Sequence, residues 1–185
     1  MKLEALLRQV NAVLSVLMLA LFLLHGVGNA FQFLDVGMPP GRGLAHALLA
    51  VCVAHALIGV WLTVLTLRAQ RRAGAGYPRQ NLRFWAVRAS GLAIAAAIAC
   101  HVLIFFRPAS APVRLAYFGP AQLAVSILLV VSIAVHVLAS AHPLMLSLGV
   151  RGPRARAADL VLVLAVLLAL MAVGFVVYFV RWSVV

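Results

Sequence analysis

Polar residues in this chain are bunched, and the stretches between them are almost purely apolar. Five such stretches stand out, over residues 10–33, 44–67, 84–106, 119–148 and 160–180. A helix crossing a hydrocarbon core of ~30 Å needs about 20 residues, so each run is long enough to span a bilayer. The runs are continuously apolar and do not alternate, which predicts helices and not the strands of a barrel. The expected architecture is all-α, an integral membrane bundle of five transmembrane helices forming one domain over residues 1–185. Turn-forming residues fall between the runs. Met38-Pro39-Pro40-Gly41 cannot continue a helix, and Pro108 and Pro112 lie in the third connection. Residues 68–83 read as an irregular basic loop containing Gly74, Gly76 and Pro78. Arg151-Gly152-Pro153 is expected to end the fourth helix, with Asp159 in the N-cap region of the fifth. Neither an internal repeat nor a low-complexity tail is evident.

Composition agrees with this reading. Hydrophobic residues make up 66% of the 185 and charged residues only 10%, too few to coat a soluble domain. The net charge of +12 would suit nucleic acid, but its placement follows membrane topology. Lys2, Arg8, Arg68, Arg71, Arg72, Arg79, Arg83, Arg88, Arg151, Arg154 and Arg156 fall on one side of the spans. Only Arg42, Arg107, Arg114 and Arg181 fall on the other. The positive-inside rule then puts the N-terminus in the cytoplasm and the C-terminus outside, in a multi-pass protein of the cell inner membrane with no nucleic-acid partner. Topology and anionic lipid explain the arginine cluster; a protein-docking role is the other reading. The charged start followed by Gly28-Asn29-Ala30 loosely mimics a cleaved signal, but the apolar run exceeds a usual signal core. Cys52 and Cys100 lie inside spans as small packing residues, and the absence of C-x-x-C-H excludes covalent c-type haem.

Histidine carries the candidate chemistry. His25, His55, His101 and His136 each lie well inside an apolar run, on four consecutive spans. An ionisable side chain in hydrocarbon normally faces the bundle interior, a partner or a cofactor. Four histidines make two pairs, as two bis-histidine haems require. With a rise of 1.5 Å per residue, depth pairs His25 with His101 in one layer near the outer surface. It pairs His55 with His136 in a second, inner layer. Gly28, Asn29, Gly59, Ala97, Ser132 and Ser140 lie one turn from a ligand, leaving space for a macrocycle edge. Plain helix packing also favours such small residues. Each histidine alone could be a buried donor bonded to a carbonyl; four successive spans would need that coincidence four times. His46 and His142 lie near opposite surfaces, off the faces of His55 and His136. They read as interfacial residues or as quinone or propionate contacts. Carboxylates are limited to Glu4, Asp35 and Asp159, and no nucleophile–base pair or phosphate loop is present. Gly41-x-Gly43 is too short for a dinucleotide motif. Any reaction is therefore electron transfer with proton exchange at a diffusible quinone.

Several stretches carry a family resemblance: Phe22-Leu-Leu-His25-Gly-Val-Gly-Asn29, His55-Ala-Leu-Ile-Gly59-Val-Trp61, Phe84-Trp85-Ala-Val-Arg88-Ala-Ser-Gly91 running on to His101, and His136 with Leu148-Gly149. Over essentially its whole length the chain resembles the di-haem cytochrome b membrane anchor of succinate:menaquinone oxidoreductases and quinol:fumarate reductases. The resemblance implies a five-helix bundle with two haem b groups, the outer on His25 and His101 and the inner on His55 and His136. It also implies a flavoprotein subunit and an iron–sulfur subunit as partners on the cytoplasmic face, and menaquinone as exchangeable redox partner. Some members carry a glutamate just before the ligand of the fourth span for proton passage. Here Ile133, Ala134 and Val135 precede His136, so that route is not expected. Arg88 is a candidate partner for a haem propionate through charge-assisted bonds. Asn29, Gln32, Asp35 and His46 are the quinone-site candidates, with Asp35 as the only carboxylate on its side and hence a proton acceptor. Asp35 could equally cap the turn before Pro39. The rival functions are a haem b anchor for a different respiratory dehydrogenase or reductase, and a haem-free membrane scaffold or transporter. Transporters usually show broken helices or repeats.

Overall fold

In the computed structural model the described residues are 2–34, 41–74, 82–105, 118–150 and 152–182. They form five helices: α1 (Lys2–Phe33), α2 (Arg42–Arg72), α3 (Leu82–Phe105), α4 (Pro120–Ser147) and α5 (Pro153–Trp182). All five are long and apolar enough to cross a membrane, so the lipid bilayer is the solvent for most of the surface. Only a helix or a closed barrel satisfies every backbone group there. The large exposed residues are accordingly aliphatic, such as Leu57, Leu92, Leu103 and Leu162.

The helices outrun the apolar stretches. α2 continues through Arg68, Arg71 and Arg72, so the first part of the expected basic loop is helical. Arginine is a good helix former, and its charge is favoured at a helix C-terminus. Gly74 (φ 64°) follows as the left-handed stop. α4 ends at Ser147 in a paired closure, with Gly149 N–H bonded to Leu146 O and Val150 N–H to Met145 O, both at 3.1 Å. Gly149 takes the positive φ (69°) that this closure demands. Pro153 is therefore not the terminator of α4 but the opening residue of α5, where its missing N–H is harmless. Asp159 consequently lies within α5, beyond the N-cap region assigned to it from sequence. At the start of α4, Gln122 reaches back to accept the Gly119 N–H at 3.1 Å.

α3 packs against α4, α4 against α5, α5 against α1 and α1 against α2, with a lesser α1–α4 contact. α2 and α3 thus stand at the two ends of a curved row, and α1 and α4 approach each other at its middle. The tightest seam is along α5. Ala157, Leu164, Leu168, Met171, Phe175 and Tyr178 are buried at helical spacing, one apolar stripe facing the bundle while lipid takes the rest. At one end, Phe33, Phe105, Phe118, Phe175 and Tyr178 close together. Phe118 stacks on Phe175 (6.4 Å between ring centres) and Phe33 leans on Tyr178 (4.7 Å). This aromatic end gathers the C-termini of α1, α3 and α5. The opposite, basic end gathers the start of α3 and the ends of α2 and α4.

One polar contact stitches α3 to α4 near the basic end. Pro143 lies inside α4 and has no N–H for the carbonyl of Ala139, four residues back. Arg83, in the first turn of α3, donates its Nε–H to that same carbonyl at 2.6 Å. A backbone acceptor orphaned in a membrane helix is thereby satisfied by a neighbouring side chain.

Candidate metal centre

The four intramembrane histidines meet in two pairs. The rings of His25 on α1 and His101 on α3 have centres 6.5 Å apart at an interplanar angle of 75°. Those of His55 on α2 and His136 on α4 are 6.4 Å apart at 82°. Each pair bridges helices, α1 with α3 and α2 with α4, that are not neighbours in the row. This is the pairing expected from depth. The layers are separated along two helices independently. Ser15, beside His55, lies ten residues before His25 on α1, and Ser90, beside His136, lies eleven before His101 on α3. Both intervals correspond to about 15–16 Å.

The spacing has chemical meaning. A first-row metal binds imidazole nitrogen at about 2 Å, and that nitrogen lies about 1 Å from its ring centre, so rings on opposite sides of one ion stand about 6–6.5 Å apart. Both pairs match. Among the described residues, no three His, Cys, Asp or Glu side chains converge, so neither pair is part of a bare-ion site of three or more protein ligands. His25 with His101, and His55 with His136, are the residues that would hold a haem iron, which would supply one-electron redox chemistry. Two glycines bear on the fit. A Cβ on Gly59, one turn from His55, would meet nothing within 4 Å, while one on Gly91 would sit 3.5 Å from Cε1 of His136. Gly59 thus leaves open space on its face of α2, and Gly91 lets α3 approach the His136 ring.

The surroundings of the two pairs differ. Nδ1 of His136 lies 3.2 Å from both the Val87 carbonyl and Ser90 Oγ. Nδ1 of His55 lies 3.4 Å from Ser15 Oγ. These hydroxyls come from helices other than those carrying the two histidines. No spacing rule in the sequence links Ser15 to His55 or Ser90 to His136, and the sequence reading missed both. Arg88 stands at this layer, half-buried, its Nε on Thr63 Oγ1 at 3.2 Å and its guanidinium 4.0 Å above the Phe84 ring. At the other pair, Asn29 Nδ2 donates to the His25 carbonyl at 2.6 Å and stands 3.4 Å from Nδ1 of the same ring. Nδ1 of His101 is buried with no hydrogen-bond partner among the described residues. Its ring packs instead on Phe105 at 4.7 Å.

Of the remaining candidates, Gln32 is half-buried and His46 exposed, while Asp35 lies outside the described residues. No hydrogen bond joins Asn29, Gln32 and His46 among the described residues; Asn29 belongs to the surroundings of His25. His142 is half-buried next to Pro143, and Cys52 and Cys100 are free thiols. Compared with known proteins, the chain matches no family model, no curated protein and no solved structure.

Proposed function

We propose that this chain is the di-haem cytochrome b membrane subunit of a succinate dehydrogenase or fumarate reductase. In this reading it carries electrons between iron–sulfur centres at its basic, cytoplasmic end and menaquinone at its aromatic, outer end. The observation that carries the proposal is the pair of ring-centre distances, 6.5 and 6.4 Å, between histidines drawn from four different helices. Iron protoporphyrin, when bound, supplies one-electron redox chemistry at each layer. His25 with His101 and His55 with His136 would hold one iron each, and the lipid-facing aliphatic helices would keep water away. The fold also sets the two layers about 15 Å apart along the bundle.

The other parts of the reading follow from charge and position. The arginines at the end of α2 and the starts of α3 and α5 offer a cationic surface to a flavoprotein and iron–sulfur pair, and orient the bundle by the positive-inside rule. Arg88, deep in α3 with one nitrogen on Thr63, is placed to neutralise a propionate near His55 and His136. Quinone exchange at the outer end would use Asn29, Gln32, Asp35 and His46, with Asp35 taking the proton of a quinol. A reduced-minus-oxidised spectrum of the purified protein, with pyridine quantification, tests the core of the proposal. Two b haems per chain are expected, and a preparation with correctly inserted protein and no haem would overturn it.

A further inference from the structure

The serines beside the inner-layer histidines form a repeated device. Ser90 Oγ donates its single proton to its own helix, 2.6 Å from Ala86 O. Toward His136 the hydroxyl can then only accept, so Nδ1 of His136 must carry the hydrogen, shared between Ser90 Oγ and Val87 O at 3.2 Å each. Ser15 repeats the arrangement on α1. Its hydroxyl donates to Asn11 O at 2.8 Å and presents a lone pair 3.4 Å from Nδ1 of His55. In a neutral imidazole only one nitrogen is protonated. Both rings are therefore held as Nδ1–H tautomers with Nε2 left as a lone pair.

His25 and His101 lack this. Asn29 offers an amide N–H to the neighbourhood of His25, and His101 Nδ1 has no partner among the described residues.

We infer that Ser15 and Ser90 are positioning residues which fix the tautomer and raise the donor strength of His55 and His136 toward one iron. The inference rests on the haem reading above. An acceptor behind a ligating imidazole strengthens its donation to the metal, which favours the oxidised iron. Removing the acceptor weakens donation and raises the reduction potential of that centre alone.

The test is a redox titration of the purified holoprotein, monitored by absorption and by low-spin ferric resonance, for Ser15→Ala, Ser90→Ala and the double variant. Each alanine is expected to shift one haem, the same one, to higher potential. The double variant should shift it further, with the other haem unmoved. Ser90→Thr keeps the hydroxyl and should restore the wild-type potential. Unchanged potentials in all three alanine variants, or equal shifts in both haems, would overturn the inference while leaving the haem assignment standing. If Ser90→Ala loses the haem, Ser90→Thr decides. A threonine variant with the haem and its normal potential supports the hydroxyl role, and loss in both overturns it as packing. A protein with no haem at all would instead remove the reading beneath.

Discussion

The two histidine pairs have nearly the same span and opposite surroundings. The His55–His136 pair is set among hydroxyls, carbonyls and the half-buried guanidinium of Arg88. His101 of the other pair packs on Phe105, at the edge of an aromatic cluster reaching Phe33, Phe118, Phe175 and Tyr178. The same pair of side chains can thus be given two electrical environments in one bundle. Polar acceptors favour a positive metal, while an aromatic wall offers packing and no charge compensation. The bundle itself is uneven in the same sense. α5 is sewn to α4 and α1 by a continuous buried stripe, whereas α2 reaches the rest chiefly through α1, the His55–His136 contact and the Arg88–Thr63 bond.

On the proposed haem reading, the largest effects should come from the four intramembrane histidines. Replacing His55 or His136 by alanine should remove one and the same b haem, about half of the total, and His25→Ala or His101→Ala should remove the other. Haem quantification and difference spectra of the four variants check this. Four equivalent partial losses would dissolve the division into pairs.

A smaller effect sharpens the difference between the two environments. Arg88 follows Val87, whose carbonyl lies 3.2 Å from His136 Nδ1, and a nearby cation disfavours oxidised iron. Arg88→Gln should lower the potential of the His55–His136 haem, by on the order of 1 kcal/mol at protein-like dielectric. A haem held by His25 and His101 should hardly move, because that pair lies about 15 Å further along the bundle. Equal shifts in both centres would mean that the charge is not confined to one layer.

The smallest effect concerns stability. Arg83→Ala leaves the Ala139 carbonyl without its donor and should lower thermal stability in detergent by about 1 kcal/mol. The exposure of Arg83 keeps the figure at the low end. In a Pro143→Ala background the helix supplies its own N–H, and the same arginine substitution should then cost almost nothing. A double-mutant cycle reads that coupling directly. Additive losses would show that Arg83 and Pro143 are unrelated.

Five membrane helices, their order and the identity of the four interior histidines were legible from sequence because each depends on local information. Run length decides spanning, and a polar residue in hydrocarbon marks an inward face. Even the layering could be read, since depth along a helix is a count of residues. Helix ends were less legible. Arginines extended α2 past its apolar stretch, and Pro153 proved to be a start and not a stop, because a proline tolerated at N1 looks the same in sequence as one that ends a helix. That Asn29 comes within 3.4 Å of the His25 ring was not foreseen, because the sequence marked it only by its end of α1 and as a small residue one turn from His25.

Only the tertiary structure decided what lies behind each histidine. Ser15 and Ser90 are ordinary residues of apolar helices, back-bonded to their own turns. They meet His55 and His136 only because α1 and α3 are rotated to bring those faces together. Arg83 and Ala139 are joined for a similar reason. Pro143 announces in the sequence that a carbonyl is free, but which side chain reaches it depends on the register of α3 against α4. Spanning, breaking and depth follow from the chain one segment at a time. Contacts between segments require the rotation and register of each helix, and in a bundle of nearly uniform aliphatic surface no local pattern specifies them.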